Sequence, residues 1–495
     1  MKKKIIKDLV HGYISVDEDV CKIVDHVSFQ RLKGISQLTA HHLFPSANHT
    51  RFEHSLGVMY LAMAFYDKLK PFIKTKMGED FTEDFNYKIS ENLRYAALLH
   101  DVGHGPLSHL GEGFYEKEEI IDALSKIDAS LIPDIENGTK HEIMSCYVIV
   151  KNFKPVLDDN KDLKKVLDYH LIFRIITGTK YNNSKDMWVE NLLISIVNST
   201  TVDVDKLDYL MRDSFMTGNV APRIDIERLI SSLTIGPDNQ LSFTPMGIPS
   251  LISFMDSRDF LYLWVYNHHT VVYTDYLYKT IISHLLNPKN TISNSNNILK
   301  RSDLFSTKAI TENFISDCNV EYHLYDEYIN SLSDYSKTVL SQLLERKFLQ
   351  PIWKTNHDYE IFINKNHDKK FKEEIEGYID EAPESGENSL GRLVNEIITQ
   401  VNKKKPDPPL QLGQLFIIKR SNKFYSMSTK SIFKIYDEKK KSYEALETIM
   451  PLRNYGEIYS KIAFYIFTRD KLISEVMEAF LDIMEKKIEM NSACR

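Results

Sequence analysis

Two apolar runs, SLGVMYLAMAFYDKL at 55–69 and ENLRYAALL at 91–99, constrain this chain more than any other feature. Both are apolar on several faces, which suits helices in the middle of a core rather than on its surface. The second run leads into LLHDVGHGPLSH, residues 98–109, where three histidines and an aspartate alternate with two glycines and a proline. A core helix ending there pins His100 and Asp101 to a stiff backbone. Gly103, Gly105 and Pro106 rule against a continuous helix beyond them and predict an ordered loop.

At 495 residues the chain has material for two or three structural units and a large core. Residues 1–290 read as helical. The amphipathic spacing of ISEVMEAFLDIMEKKI (473–488) predicts a helix near the C-terminus. Between them, QLFIIKR-SNKFYSM and SIFKIYDEKKKSYEAL are short β-rich runs divided by polar residues, which predicts a small sheet. EAPESGENS (381–389) and KKKPDPP (403–409) read as exposed loops, and the lysine runs at 402–405 and 439–441 as solvated faces. The expected fold is mainly α: a helical core over residues 1–290, followed by a smaller α+β region over 291–495.

Partners and compartment follow from charge and cysteine usage. A net charge of −7 gives no overall pull toward nucleic acid or an anionic membrane. Cys21, Cys146, Cys318 and Cys494 are scattered without CxxC spacing, so neither a zinc knuckle nor a disulfide framework is implied. With no signal-like N-terminus and no spanning apolar run, the expectation is a cytoplasmic protein without membrane association.

The chemistry concentrates in four segments. NHTRFEHSLGV (48–58) places His54 at the start of the first core helix, and DVDKLDYLMRD (203–213) places Asp205 at the start of another. With His100 and Asp101 they supply two imidazoles and two carboxylates on helix ends, a set suited to a divalent ion. Iron, manganese, magnesium or zinc fits; a structural tetrahedral zinc site does not, since no cysteine is near. His104 follows His100 by four residues. Glu112 follows His109 by three, close enough on a helical turn to orient its imidazole as a general acid or base. Lys206, Tyr209 and Asp213 fall on one helix face and offer a cation, a phenol and a carboxylate. Arg51, one turn ahead of His54, can grip a phosphate. The pairs His41-His42 and His268-His269 read as packing or surface residues.

The order His54, His100-Asp101, Asp205 resembles the H…HD…D signature of the HD-domain phosphohydrolase superfamily. RFEHSLGV, HDVGHGPLSH, the HE at 141–142 and DVDKLDYLMRD together resemble its deoxynucleoside triphosphate triphosphohydrolase branch, whose vertebrate member carries a sterile alpha motif ahead of the HD domain. The likeness runs over residues 4–290, and no sterile alpha motif fits before it. It implies release of inorganic triphosphate from a dNTP, with a second magnesium accompanying the triphosphate. It also implies a His–carboxylate dyad at His109 and Glu112 and places the pair His141 and Glu142 near the triphosphate, with His104 and His141 as further catalytic candidates. Arg51, Lys206 and Arg258 would serve as phosphate ligands. Tyr209, Asp213 and Tyr266 would lie around the sugar, and Gln37 and Leu38 against its 2′ side. Tyr262 stands where relatives have histidine.

A second implication is regulatory. Asp25, Gln30 and Lys33 match positions that read guanine at an effector site of dGTP or GTP type, and Lys4, Ile5 and Arg228 match further effector contacts. Thr244 and Met246 replace basic contacts of the relative. Effector sites between subunits imply a homo-oligomer, a tetramer first, with dimer and hexamer as alternatives. Such an enzyme would control dNTP pools, as metabolic balance or as antiviral defence. Two competing readings remain at this stage: an HD phosphodiesterase or nucleotidase acting on another ester, and a nucleotide-sensing or nucleic-acid-binding regulator.

Overall fold

The computed structural model describes residues 3–183, 185–219, 223–287, 300–331, 333–364, 369–383, 389–420, 434–437, 439–446 and 462–493. Cys494, the loop residues 384–388 and the apolar run at 423–427 lie outside these.

The chain divides into two compact units. The first comprises Met1–Leu261, Leu299–Glu321 and Thr429–Arg453, and the second Tyr262–Ile298, Tyr322–Ser428 and Asn454–Arg495. Each unit draws on more than one stretch of the chain. Unit membership is set by long-range pairing: strand Lys434–Asp437 pairs in parallel with Leu241–Phe243, Ile435 facing Phe243, almost two hundred residues earlier in the chain.

The first unit is built around helix Arg51–Met77. Thr50 and Glu53 close a capping box over its N-terminus, satisfying backbone N–H groups that the helix cannot pair internally. Leu61, Ala62, Phe65 and Leu69 are fully buried along it. Helix Glu83–Leu99, capped by Thr82, packs alongside, and helix Val204–Met216, capped by Asp203, packs on the N-terminal half. Tyr169–Thr177 and Trp188–Val197 complete the cluster. An antiparallel hairpin, Lys4–Asp8 with Gly12–Val16, precedes it, and the order Leu233–Ile235, Leu241–Phe243, Lys434–Asp437, Ser442–Ala445 forms a four-stranded sheet.

The second unit packs helix His269–Leu286 on Asp334–Leu344, and Leu390–Asn402 on Ile473–Ala493. Its sheet places Phe464–Thr468 between Gln350–Pro351 and Leu415–Lys419. The mainly α architecture is as expected. The two β-rich runs, however, enter different sheets: local pattern identifies a strand, not its partner. Among the described residues no helix is long and apolar enough to cross a membrane.

Glycine spacing brings the central helices into register. A Cβ on Gly57 would lie 1.9 Å from Asp208 Oδ1 and 2.6 Å from Arg212 Nη2, so helix Val204–Met216 can approach only a glycine there. Gly57→Ala is expected to cost about 1–3 kcal/mol and to lower metal retention, because Asp208 contacts the candidate ligand histidine described below. A urea titration and metal analysis of the purified variant test this; wild-type values in both would defeat it.

Candidate metal centre and active site

His54 lies in the first turn of helix Arg51–Met77 and is completely buried. Its Nδ1 donates to Asp208 Oδ2 at 2.8 Å, which leaves Nε2 with its lone pair turned to the interior. His100, at the end of helix Glu83–Leu99, is set the same way: Nδ1 donates to Ala97 O at 2.8 Å. Both Nε2 atoms are buried without an aligned hydrogen bond, yet lie 3.0 Å (His54) and 3.7 Å (His100) from Asp205 Oδ1. Asp101 adds carboxylate oxygens 3.5 Å from His54 Nε2 and 3.4 Å from His100 Nε2.

Two orphaned imidazole lone pairs facing two carboxylates fit a divalent cation. Burial opposes a charge on His54, but Asp205, Asp208 and Asp101 override it and push its pKa up to about 10. Either a proton or a metal ion must therefore stand between these groups. His54, His100 and Asp205 present ligand atoms within 4.8 Å of one another, as a shared ion requires.

The loop after Asp101 builds a second cluster. Burial would raise the Glu112 pKa, but hydrogen bonds from His109 and His141 hold its carboxyl far below the usual carboxylate range. His109 Nδ1 stands 2.6 Å from Glu112 Oε1 and His141 Nδ1 2.9 Å from the same oxygen. Burial likewise opposes protonation of His141, and Glu112 outweighs it, so the His141 pKa is raised. His104 is fully buried and stacks on His141 at 4.1 Å, with Nε2 3.3 Å from Asp101 Oδ1. His109 is the accessible member, its side chain 66% exposed. His104, His109, Glu112 and His141 form the other ligand-competent group among the described residues. Gly103 makes this packing possible: a Cβ there would meet Ser145 N at 2.1 Å and His141 O at 2.5 Å.

The structure thus gathers His54, His100, Asp101 and Asp205 at one point and His104, His109, Glu112 and His141 beside it. Arg51 joins them, with Nη1 donating to Asp101 at 2.7 Å and Nε and Nη2 to Ser108 Oγ at 3.0 and 2.6 Å. Its guanidinium is thereby already partly committed to a carboxylate. Lys206, Tyr209 and Asp213 do not act as one open face. Lys206 turns back to its own helix cap, Asp203, and to Ser199 O; Tyr209 is half-buried. Asp213 is buried against His49, whose Nε2 stands 2.7 Å from it. The reason is local: an N-cap aspartate three residues before a lysine offers it a nearer partner than solvent.

Gln37 is buried with its Oε1 unpartnered, and its N–H bonds to His49 O at 3.0 Å; Leu38 is half-buried. Arg258 is buried near the end of helix Ile248–Leu261, 3.5 Å from Asp259. Tyr262 and Tyr266 belong to the second unit, where their rings meet edge to face at 4.9 Å. Of the effector candidates, Lys4 pairs with Asp25 at 3.0 Å and Lys33 donates to Gln30 at 2.8 Å, while Ile5 is exposed. Arg228 lies elsewhere in the same unit, bonding Met246 O at 3.1 Å. Glu142 closes the capping box of helix Lys140–Val148 with Thr139, a structural duty.

Sequence reasoning missed the support behind His54. Asp208 is fully buried and receives His11 Nε2 at 2.6 Å as well as His54, and Arg212 holds it through Nε and Nη2 at 2.9 Å. Arg212 reaches on to Asp8 at 2.9 Å, so the N-terminal hairpin is tied to the metal centre. The available signal was the spacing DxxDxxxR in 205–212, which puts Asp205 and Asp208 on adjacent faces and Arg212 one turn on.

This network has a pH signature. Burial works to raise the Asp8 pKa, but Arg212 and the Val10 and His11 amides lower it. A depressed carboxyl contributes stability above its unfolded value, about 3.9, and loses it as pH falls toward the folded value. Asp8→Asn is expected to cost about 1.5–3 kcal/mol near neutrality, with the deficit shrinking below about pH 4. Urea midpoints of both proteins across this range test it; a gap that widens on acidification would contradict the assignment.

Comparison with known proteins agrees with this geometry. Residues 51–211 match the HD domain. A deoxynucleoside triphosphate triphosphohydrolase SAMHD1 homolog of Dictyostelium discoideum is 30% identical over 313 residues, 60% of this chain and 54% of that protein. The deoxynucleoside triphosphate triphosphohydrolase SAMHD1 of Homo sapiens is 30% identical over 290 residues, covering 54% and 42% of the two chains. The chain therefore spans about half the length of these curated relatives. A solved phosphohydrolase from Bacteroides thetaiotaomicron shares the fold, with a TM-score of 0.63 and 23% identity over 94% of this chain and 100% of that one.

Proposed function

We propose that this chain, whose residues 51–211 match the HD domain, is an HD-domain phosphohydrolase that hydrolyses deoxynucleoside triphosphates to deoxynucleoside and inorganic triphosphate. One observation carries this reading: the His54, His100, Asp101, Asp205 cluster adjoins the His109–Glu112 dyad, His104 bridging the two through Asp101 at 3.3 Å. Two triphosphohydrolases similar to the chain supply the substrate class.

His54, His100, Asp101 and Asp205 would hold a divalent ion, iron, manganese, magnesium or zinc. Such an ion lends Lewis acidity toward a phosphoryl oxygen and promotes ionisation of water. A water oxygen, yielding a proton to solvent, forms a bond to the α-phosphorus while the P–O5′ bond breaks, and the leaving oxygen takes its electron pair. With Glu112 engaging Nδ1, His109 delivers a proton from Nε2 to that oxygen. Burial, Arg51 and His141 lower the His109 pKa, and Glu112 opposes them while keeping the ring oriented; His141 shares the same carboxylate and adds positive charge beside the phosphates. Arg51, Lys206 and Arg258 offset the triphosphate charge together with a second magnesium, Lys206 exchanging Asp203 for phosphate when substrate arrives. Gln37 and Leu38 close the 2′ side of the sugar, Asp213 accepts from its 3′-hydroxyl, and Tyr209 packs beside it. Regulation is part of the proposal: Lys4, Ile5, Asp25, Gln30, Lys33 and Arg228 would take a guanine nucleotide within a homo-oligomer, and the activity would set dNTP pools.

Metal-loaded protein incubated with each dNTP and NTP, singly and in pairs, is expected to release inorganic triphosphate from dNTPs. Dependence on a paired guanine nucleotide would support the effector site. Absence of triphosphate under every metal and pairing would end the assignment in favour of another phosphate ester.

A further inference from the structure

The active-site loop is held by residues remote from it in sequence. Leu107 and Ser108, just ahead of His109, have φ of 61° and 53°, a left-handed conformation that side-chain-bearing residues seldom adopt. Two such residues in succession persist only if surrounding contacts over-determine them. The Leu107 N–H donates to Asp317 Oδ1 at 2.7 Å. The other oxygen of the same carboxylate accepts the Ser36 N–H at 2.8 Å. Asp317 is 8% exposed and comes from the Leu299–Glu321 segment that returns to the first unit.

Arg31 acts on the same loop from the opposite charge. It is buried, and its Nη2 donates to Val102 O at 2.8 Å and His104 O at 2.7 Å, while Nη1 reaches Ile315 O at 3.2 Å. Gly34 lets the segment come this close, since a Cβ there would stand 2.9 Å from Ser316 Cβ. The returning segment is thus clamped to the catalytic loop at Val102, His104 and Leu107, and to residue 36 beside Gln37 and Leu38.

We propose that Asp317 is a positioning residue for both halves of the site. One carboxylate holds the strained turn that presents His109 and, through Ser36, the wall formed by Gln37 and Leu38; it thereby links catalytic geometry to discrimination against a 2′-hydroxyl. The clamp itself rests on the contacts above, whereas its effect on sugar selectivity rests on the dNTP triphosphohydrolase reading. An asparagine cannot replace it, because a carboxamide has one accepting oxygen and would turn N–H groups toward the second amide.

The test uses the full chain with Asp317→Ala and the near-isosteric Asp317→Asn, the latter covering failure of the alanine variant to fold. Hydrogen exchange at the Ser36 and Leu107 amides needs no substrate. Both are expected to be protected in the wild type. In Asp317→Ala both should exchange about ten- to a hundredfold faster, the worth of a hydrogen bond to a charged acceptor. In Asp317→Asn at least one should do so. In parallel, the ratio of kcat/KM for dATP to that for ATP is expected to fall by a similar factor, with bound metal little changed. Wild-type exchange at both amides in a folded variant overturns the proposal. So does an unaltered dATP-to-ATP ratio in a variant whose amides have been freed. If the wild type releases no triphosphate from any dNTP, the functional reading has failed, and the exchange data still judge the clamp.

Discussion

Asp205→Ala is expected to abolish triphosphate release, by about a thousandfold or more, and to strip most bound metal from a chain that still folds. Asp205 brings a single oxygen to 3.0 and 3.7 Å from the two orphaned imidazole nitrogens, whereas Asp101, 3.5 and 3.4 Å from them through separate oxygens, already serves Arg51 at 2.7 Å. Without Asp205 the set keeps two imidazoles and a carboxylate partly neutralised by a guanidinium, a poor donor group for a divalent ion. A catalytic ion supplies several kcal/mol of charge stabilisation, which converts to the rate loss stated. The fold should survive, because the Asp205 side chain is 38% exposed and the helix is capped by Asp203, not by Asp205. Metal content by elemental analysis, circular dichroism and triphosphate release separate these effects. A variant with full metal and normal turnover would show that Asp205 is not a ligand. Chelation of the wild type, followed by readdition of single metal ions, should reproduce and then reverse the loss.

His109→Ala should lower kcat by about 10²–10⁴-fold, the usual worth of a positioned acid or base, while leaving metal content intact. His109 touches none of the four candidate ligands; it meets Glu112 at 2.6 Å and His104 edge to face at 4.9 Å. Its exposure makes a folding defect a small part of the effect. Removing the ring also removes one of two hydrogen bonds that hold Glu112 ionised, so His141 becomes the sole strong partner of that carboxylate. The loss should be largest for substrates with a basic leaving group and small for a nitrophenyl ester, whose leaving oxygen needs no proton. Equal losses on both substrates would reassign His109 from proton donor to phosphate ligand.

Much of the candidate site was legible because it is written in short segments at helix ends. His100-Asp101, His54 and Asp205 stand where core helices begin or stop, and the glycines and proline after them mark a loop without reference to the rest of the chain. The pair His109 and Glu112 was legible for a similar reason: three residues of separation on a turn constrain two side chains whatever surrounds them. The effector positions were legible only as a resemblance, and their observed contacts are an exposed salt bridge, Lys4 with Asp25, and a hydrogen bond from Lys33 to the neutral Gln30 amide.

What could not be read from the chain is everything assembled by long-range packing. Lys206 and Asp213 share a helix face by spacing, yet Asp203 and His49 claim them, because partner choice depends on which groups are nearest in space. Asp208 looks like any polar helix residue until Gly57 admits its helix to the core and His11 and His54 arrive from two other elements. Asp317 has no motif at all; its meaning lies in two backbone amides 71 residues apart that only the tertiary fold brings to one carboxylate. The sequence by itself therefore determined the helical class through periodicity, and spacing together with the family resemblance named the candidate metal-ligand set and the candidate proton-transfer pair. The tertiary structure alone decided which charges are already neutralised, what holds the strained loop, and where the two units divide. Those depend on desolvation and pairing between segments, and no local pattern encodes either.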